Sequence, residues 1–81
     1  MNEMLNERLV DTVSRTLGVE KRRVIAEMSS ENTAAWDSVA HLNLILEIEE
    51  IFDVHFSSEE IPTLTSVGRL QEALAARTAG A

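Results

Sequence analysis

The sequence contains no cysteine, so neither disulfides nor thiolate metal ligands contribute to its structure. At 81 residues the chain is near the lower limit for burying a self-sufficient core. Its stability must therefore come from aliphatic packing. We expect one domain spanning residues 1–81, with an ordered core of about residues 3–77.

Long hydrophobic runs are also missing. No apolar stretch approaches the roughly 20 residues that cross a bilayer. The start, Met1-Asn2-Glu3-Met4, has neither the basic region nor the apolar region of a secretory signal peptide. The lack of cysteine is compatible with a reducing compartment. We expect a soluble, cytoplasmic, monomeric protein with no membrane span.

Basic residues are absent from the middle of the chain. Residues 37–60 contain seven acidic residues and no lysine or arginine, whereas residues 1–36 sum to −1 and residues 61–81 to +1. The middle segment alone therefore carries a charge of −7, which equals the net charge of the whole chain. This charge argues against nucleic acid or an anionic membrane as the main partner and predicts partners with a basic surface.

Strand signals are absent, and helical periodicity dominates. The first helix is predicted from about Asn2 or Glu3 to Leu17, where Gly18 is a typical C-terminal stop. Its apolar stripe comprises Leu5, Leu9, Val10, Val13 and Leu17. A long loop follows, with one short helical turn near Val24 and with Val24, Ile25, Met28 and Trp36 as its anchors to the core.

The second half of the chain predicts three more helical segments. The central helix opens at Asp37-Ser38 and ends near Phe52. Ser57-Ser58-Glu59-Glu60 has the spacing of a capping box, but Pro62 limits any helix there to one or two turns. The final helix, capped by Thr65, buries Val67, Leu70, Ala73 and Leu74. The expected fold is all-α, a small four-helix bundle with a long first loop and a short third helix.

The central helix has two apolar faces. One is the core arc of Leu44, Ile45, Ile48, Ile51 and Phe52. The other is a second stripe of Val39, Leu42 and Leu46, flanked by Glu49, Glu50 and Asp53. Such a stripe is either covered by the chain itself or kept for a partner. These acidic residues lie near the C-terminal end of the helix, where the helix dipole disfavours anions. We therefore interpret them as functional residues.

Asp37 and Ser38 stand where an N-cap side chain accepts the first free N–H groups of a helix. A phosphate ester on Ser38 would lie where those N–H groups and the helix dipole favour negative charge. The purely structural interpretation is that both residues only cap the helix.

The tripeptide Asp37-Ser38-Val39, the run Glu49-Glu50-Ile51-Phe52-Asp53 and the later Thr65-Ser66-Val67 together resemble the acyl and peptidyl carrier proteins. By length and helix order the resemblance covers nearly the whole chain. It implies that Ser38 carries 4′-phosphopantetheine derived from coenzyme A, and that Asp37 helps to present the serine and a metal ion to the modifying enzyme. It also implies partners, namely a phosphopantetheinyl transferase and acyl- or aminoacyl-loading and condensing enzymes with basic docking surfaces.

The resemblance implies a non-catalytic, freestanding carrier of acyl or aminoacyl thioesters for fatty acid, polyketide or nonribosomal peptide synthesis. One alternative is a carrier-like interaction module that is never modified. Another is a small hydrolase using Ser38 and His41, which lie one turn apart. There is no Gly-x-Ser-x-Gly turn, so His41 is interpreted as a partly packed helix residue. Neither Lys21-Arg22-Arg23 nor His55 is assigned a function.

Overall fold

The computed structural model describes residues 5–78. It has three α-helices, α1 (Glu7–Leu17), α2 (Ser38–Phe52) and α3 (Val67–Thr78), with short 3-10 turns at Lys21–Arg23 and Ile61–Thr63. Within those residues there is no β-strand, only an isolated bridge between Ser29 and Ser66. The all-helical class is confirmed. The four-helix description is not, because the predicted short third helix is a single 3-10 turn.

None of the helices in residues 5–78 is both long and apolar enough to cross a bilayer.

Helix α1 begins later than the periodicity predicts. Asn6 has extended backbone angles, and its side chain accepts hydrogen bonds from the N–H groups of Arg8 at 2.8 Å and Leu9 at 3.2 Å. This N-cap satisfies two first-turn donors, so the helix starts at Glu7. The predicted start at Asn2 or Glu3 lies outside the described residues, and a continuous helix from there is wrong. The predicted stop is confirmed, because Gly18 has φ 70°.

The core combines all three helices with the loops between them. Its buried helical members are Leu9, Val13, Leu17, Leu44, Ile45, Ile48, Val67, Leu70 and Leu74. Its buried loop members are Val24, Met28, Trp36, Phe56 and Leu64. Each fully buried large aliphatic side chain contributes about 1.5–3 kcal/mol relative to exposure. Trp36 is only 1 % exposed, which confirms it as an anchor of the first loop.

Six predicted core positions are not fully buried. Leu5, Val10 and Ala73 are partly buried and pack against the core. Ile25 is exposed, and its carbonyl closes a tight turn by accepting the N–H of Met28 at 3.0 Å. Val24 and Met28 supply the buried anchors of that segment, so Ile25 is left outside. Ile51 and Phe52 occupy the last turn of α2 and are only partly buried.

The first loop is hydrogen-bonded to the start of α3. Carbonyl groups of Met28 and Ala26 accept the N–H groups of Val67 at 2.9 Å and Gly68 at 3.0 Å. A Cβ on Gly68 would lie 3.2 Å from the Ala26 oxygen, closer than ordinary van der Waals contact. Gly68 therefore allows the loop to approach, although glycine weakens a helix interior.

The residue that caps α3 is Ser66. Its Oγ accepts the N–H of Arg69 at 3.1 Å, and the helix begins at Val67. The prediction of Thr65 as the cap is therefore wrong by one residue. The carbonyl of Thr65 instead accepts the N–H of Ser30 at 3.0 Å, as part of the pairing between the first loop and α3.

The segment between α2 and α3 is held by its own cap and by Arg77. Ser57 Oγ accepts the N–H of Glu60 at 3.1 Å, which is one of the two bonds of the predicted capping box, while the Glu60 carboxylate bonds to Arg77. The guanidinium of Arg77 bonds to the Glu60 carboxylate and to the His55 carbonyl, and it lies 4.6 Å from the centre of the Phe56 ring. These contacts join the segment before the 3-10 turn at Ile61–Thr63 to the C-terminal part of α3.

The basic run at residues 21–23 is exposed and takes part in local ion pairs. Lys21 Nζ lies 2.8 Å from Asp11 Oδ1, and this hydrogen bond with the carboxylate charge raises the pKa of Lys21. Arg22 pairs with Glu20 at 2.7 Å. These pairs are local contacts on an exposed surface.

Candidate functional site

Ser38 is the first residue of α2 and is exposed to solvent. Asp37, with extended backbone angles, is the N-cap, and its Oδ1 accepts the N–H of Ala40 at 2.8 Å. The N–H groups of Ser38 and Val39 precede the first intrahelical bond and so have no carbonyl partner within the helix. The serine hydroxyl therefore projects from a helix start that favours an attached anion.

Behind this helix start, Trp36 and His41 form a hydrogen-bonded pair. Trp36 Nε1 donates to His41 Nδ1 at 3.0 Å, and the two rings lie 6.2 Å apart at an interplanar angle of 25°. His41 Nε2 lies 2.9 Å from the carbonyl oxygen of Ile61. Because Nδ1 accepts, the hydrogen-bond network assigns the proton to Nε2, which donates to Ile61. The pair thus connects the first loop, α2 and the second 3-10 turn.

This arrangement counts against the hydrolase alternative. A general base must have a ring nitrogen free to accept the serine proton. In His41 one nitrogen accepts from Trp36 and the other donates to Ile61. The carboxylate of Asp37 caps α2 and does not orient the imidazole. Ser38 and His41 are neighbours on the helix but do not form a nucleophile and base pair.

A cleft of about 260 Å³ opens beside Ser38. It is lined by Ser30, Trp36, Asp37, Ser38, His41 and Thr65. The backbone bond from Ser30 N–H to the Thr65 carbonyl joins the first loop to the start of α3 on this side. We call this space the Trp36 cleft.

The second apolar stripe of α2 is exposed, as predicted. Val39, Leu42 and Leu46 are 69 %, 56 % and 64 % exposed, whereas Leu44 and Ile48 on the opposite face are fully buried. Within residues 5–78, no loop covers this stripe. An exposed apolar row on a small domain is a typical protein interaction surface.

The acidic residues around the stripe fall into two groups. Glu50 and Asp53 are exposed. Glu49 is mostly buried and hydrogen-bonded. Its side chain is 17 % exposed, and Oε2 accepts the N–H of Phe56 at 2.9 Å. Asp53 ends the helix with φ 56°, which returns the chain so that Phe56 reaches Glu49. Glu49 therefore stabilises the turn after α2.

No family model matches the chain. Three relatives match over most of their length, each named an acyl carrier protein. The one from Amoebophilus asiaticus is 31 % identical over 75 residues, covering 93 % of this chain and 94 % of the relative. The one from Karelsulcia muelleri is 34 % identical over 67 residues, covering 83 % and 80 %. The one from Clostridium acetobutylicum is 29 % identical over 75 residues, covering 93 % and 97 %.

The chain belongs to the acyl carrier protein family. The resemblance that rested on Asp37-Ser38-Val39 and Glu49-Glu50-Ile51-Phe52-Asp53 is thereby confirmed at the level of the family. In this acyl carrier protein family member, the residue two before the serine is Trp36, which is buried against the bundle and bonded to His41.

Two features of this family member could not be read from the sequence. The bond from Phe56 to Glu49 joins residues seven apart across a helix end, and an acidic residue on an acidic helix gives no signal of it. The approach of Ser30 to Thr65 joins two loops that are distant in sequence. The bond between Trp36 and His41 was weakly indicated by the sequence, because a buried indole N–H requires an acceptor.

Proposed function

We propose that the protein is a freestanding, non-catalytic carrier whose Ser38 is esterified by the 4′-phosphopantetheine of coenzyme A. The observation that carries the proposal is an exposed serine at the first position of α2, in a chain that belongs to the acyl carrier protein family. When attached, the group supplies a terminal thiol that holds an acyl or aminoacyl cargo as a thioester.

The residues around Ser38 fit a phosphodiester. The hydroxyl is exposed and so is open to a modifying enzyme. The N–H groups of Ser38 and Val39 have no carbonyl partner within α2, and the positive end of the helix dipole favours the attached negative charge. Asp37 is exposed while it caps the helix through Ala40. In our proposal its second carboxylate oxygen presents a metal ion to the transferase.

We propose that partner enzymes dock on the second apolar stripe of α2. These partners are a phosphopantetheinyl transferase and enzymes that load and condense acyl or aminoacyl groups in fatty acid, polyketide or nonribosomal peptide synthesis. Val39, Leu42 and Leu46 supply the apolar contact, and Glu50 and Asp53 steer basic partners towards it. Glu49 acts mainly by holding the turn that shapes this surface.

The alternative is an interaction module that uses the same stripe without modification. The exposure of Val39, Leu42 and Leu46 serves that function equally well. Incubation with coenzyme A, magnesium and a broad-specificity phosphopantetheinyl transferase separates the two. A carrier gains the mass of one phosphopantetheine, whereas a folded protein that never gains it is an interaction module.

A further inference from the structure

Ser38 lies within a short stretch of chain that three hydrogen bonds close. The carbonyl of Asp37 accepts the N–H of His41 at 2.8 Å, and the Asp37 carboxylate accepts the N–H of Ala40 at 2.8 Å. The third bond joins the indole of Trp36 to Nδ1 of His41 at 3.0 Å. Trp36 stands two residues before the serine and His41 three residues after it, so this side-chain bond spans the serine.

The indole bond sets how the first loop enters α2. The two bonds within residues 37–41 form at any helix that an aspartate caps. The indole bond instead fixes the buried end of the loop, where Trp36 is 1 % exposed, to a side chain one turn into the helix. His41 is in turn joined to the carbonyl of Ile61 in the second 3-10 turn. The position of Ser38 on its helix start therefore depends on His41 as well as on the cap.

Only the neutral form of His41 makes both of its side-chain bonds. An indole nitrogen is a donor only, so Nδ1 of His41 must be unprotonated where it faces Trp36. A second proton gives the ring two donors and no acceptor, and it places an N–H against the indole N–H. The bond from Nε2 to the Ile61 carbonyl survives, and the positive charge strengthens it. Protonation therefore releases Trp36 and keeps His41 on the 3-10 turn.

The charged groups around His41 already have other partners. Among the described residues that line the Trp36 cleft, Asp37 supplies the one carboxylate, and it caps α2. Glu60 precedes the second 3-10 turn, and its carboxylate bonds to Arg77. The next turn of α2 beyond His41 is apolar at residues 44–45. Within residues 5–78, no carboxylate forms an ion pair with His41, so the bond to Trp36 is the contact that a proton changes most.

We propose that His41 is a positioning residue for the modification of Ser38 and that it acts only in its neutral form. Neutral His41 holds Trp36, and with it the segment that enters α2 at Asp37 and Ser38. When His41 is protonated, Trp36 is released and the serine occupies the productive position less often. The carrier is then loaded more slowly at acid pH. This inference rests on the proposed modification of Ser38.

The indole N–H of Trp36 reports on the bond directly, because the chain has one tryptophan. In unmodified wild type, the nuclear magnetic resonance signals of this N–H and of the His41 ring should shift together between about pH 8 and pH 5, the range in which histidine changes charge. His55→Ala is the control, because the His55 side chain is 94 % exposed, and it should show the same indole shift. An indole signal that stays unchanged over this range overturns the proposal.

Transferase kinetics test the effect on the serine. His41→Asn keeps an oxygen acceptor near the position of Nδ1 and does not titrate, so it is the matched variant. Both proteins are checked for folding by circular dichroism and compared at each pH, so that the pH dependence of the transferase itself cancels. The ratio of wild-type to variant kcat/KM should fall severalfold from about pH 8 to about pH 6.

The outcomes separate the two claims. If the protein is modified but the ratio does not fall, the positioning role of His41 is overturned and the carrier function is left intact. A folded wild type that never gains phosphopantetheine overturns both.

Discussion

The indole nitrogen of Trp36 donates to Nδ1 of His41 at 3.0 Å, while the opposite nitrogen of His41 lies 2.9 Å from the carbonyl oxygen of Ile61. One imidazole thus joins the loop before the serine, the helix that carries it and the turn before α3. The site at Ser38 is held by these contacts from behind, and the serine itself stays exposed.

Replacing His41 by Ala should therefore destabilise the fold. The change leaves the buried N–H of Trp36 without an acceptor, which costs about 1–3 kcal/mol. Asn43→Ala is the control, because Asn43 is an exposed residue of the same helix. Urea unfolding followed by circular dichroism measures both. Equal losses of stability in the two variants would mean that the pair contributes nothing.

Replacing Glu49 by Ala should cost more than replacing Glu50 by Ala. The Glu49 carboxylate accepts the N–H of Phe56, and a hydrogen bond to a charged group contributes about 1.5–3 kcal/mol. Glu50 is exposed, so its removal should change stability by less than about 0.5 kcal/mol. Thermal and urea unfolding test the difference. If Glu50→Ala is as destabilising as Glu49→Ala, the role of Glu49 at the helix end is wrong.

Leu42 and Leu44 allow the same substitution on opposite faces of α2. Leu44→Ala and Ile48→Ala should each cost about 2–5 kcal/mol, because both side chains are fully buried. Leu42→Ala should leave stability within about 0.5 kcal/mol, because Leu42 is exposed, and should slow modification by the transferase. Melting curves and transferase kinetics are needed together. If the transferase modifies Leu42→Ala at the wild-type rate, Leu42 is not part of the docking surface.

Glu50→Lys should slow partner capture without unfolding the protein. Glu50 lies near the C-terminal end of α2, where a positive charge interacts favourably with the helix dipole, so stability should be unchanged or slightly raised. The transferase rate should fall most at low salt, because screening weakens steering. Transferase kinetics over a series of salt concentrations measure this. A loss of rate that is independent of salt would argue against electrostatic steering.

The periodicity of the sequence predicted the elements that depend on local pattern. The stop of α1 follows from Gly18, and helical spacing sets the buried Leu44 and Ile48 on a different face from Val39, Leu42 and Leu46. That this second stripe is exposed did not follow from spacing, because a loop of the chain could have covered it. The starts of the helices were harder to locate from the sequence, because several polar residues near each start can act as the N-cap. Asn6 and Ser66 cap α1 and α3, whereas Thr65, one residue earlier, was the predicted cap of α3.

Contacts between distant segments could not be predicted. From the sequence alone, Gly68 indicates only a weakened interior of α3, whereas in the structure a side chain there would press on the carbonyl of Ala26. Glu49 was predicted only as one of the acidic residues that flank the second stripe, whereas in the structure the turn at Asp53 also brings the N–H of Phe56 to its carboxylate. Both depend on how the loops return to the helices. Spacing along one helix contains no information about that return.

Attachment of phosphopantetheine at Ser38 is tested most directly by intact mass, followed by fragmentation of the modified peptide. After incubation with coenzyme A, magnesium and a broad-specificity transferase, the wild type should gain one phosphopantetheine, located on Ser38. Ser58→Ala should gain it as well, and Ser38→Ala should gain none while remaining helical by circular dichroism. A folded wild type that gains no mass, or a Ser38→Ala variant that still gains it, would contradict the assignment of Ser38 as the attachment site.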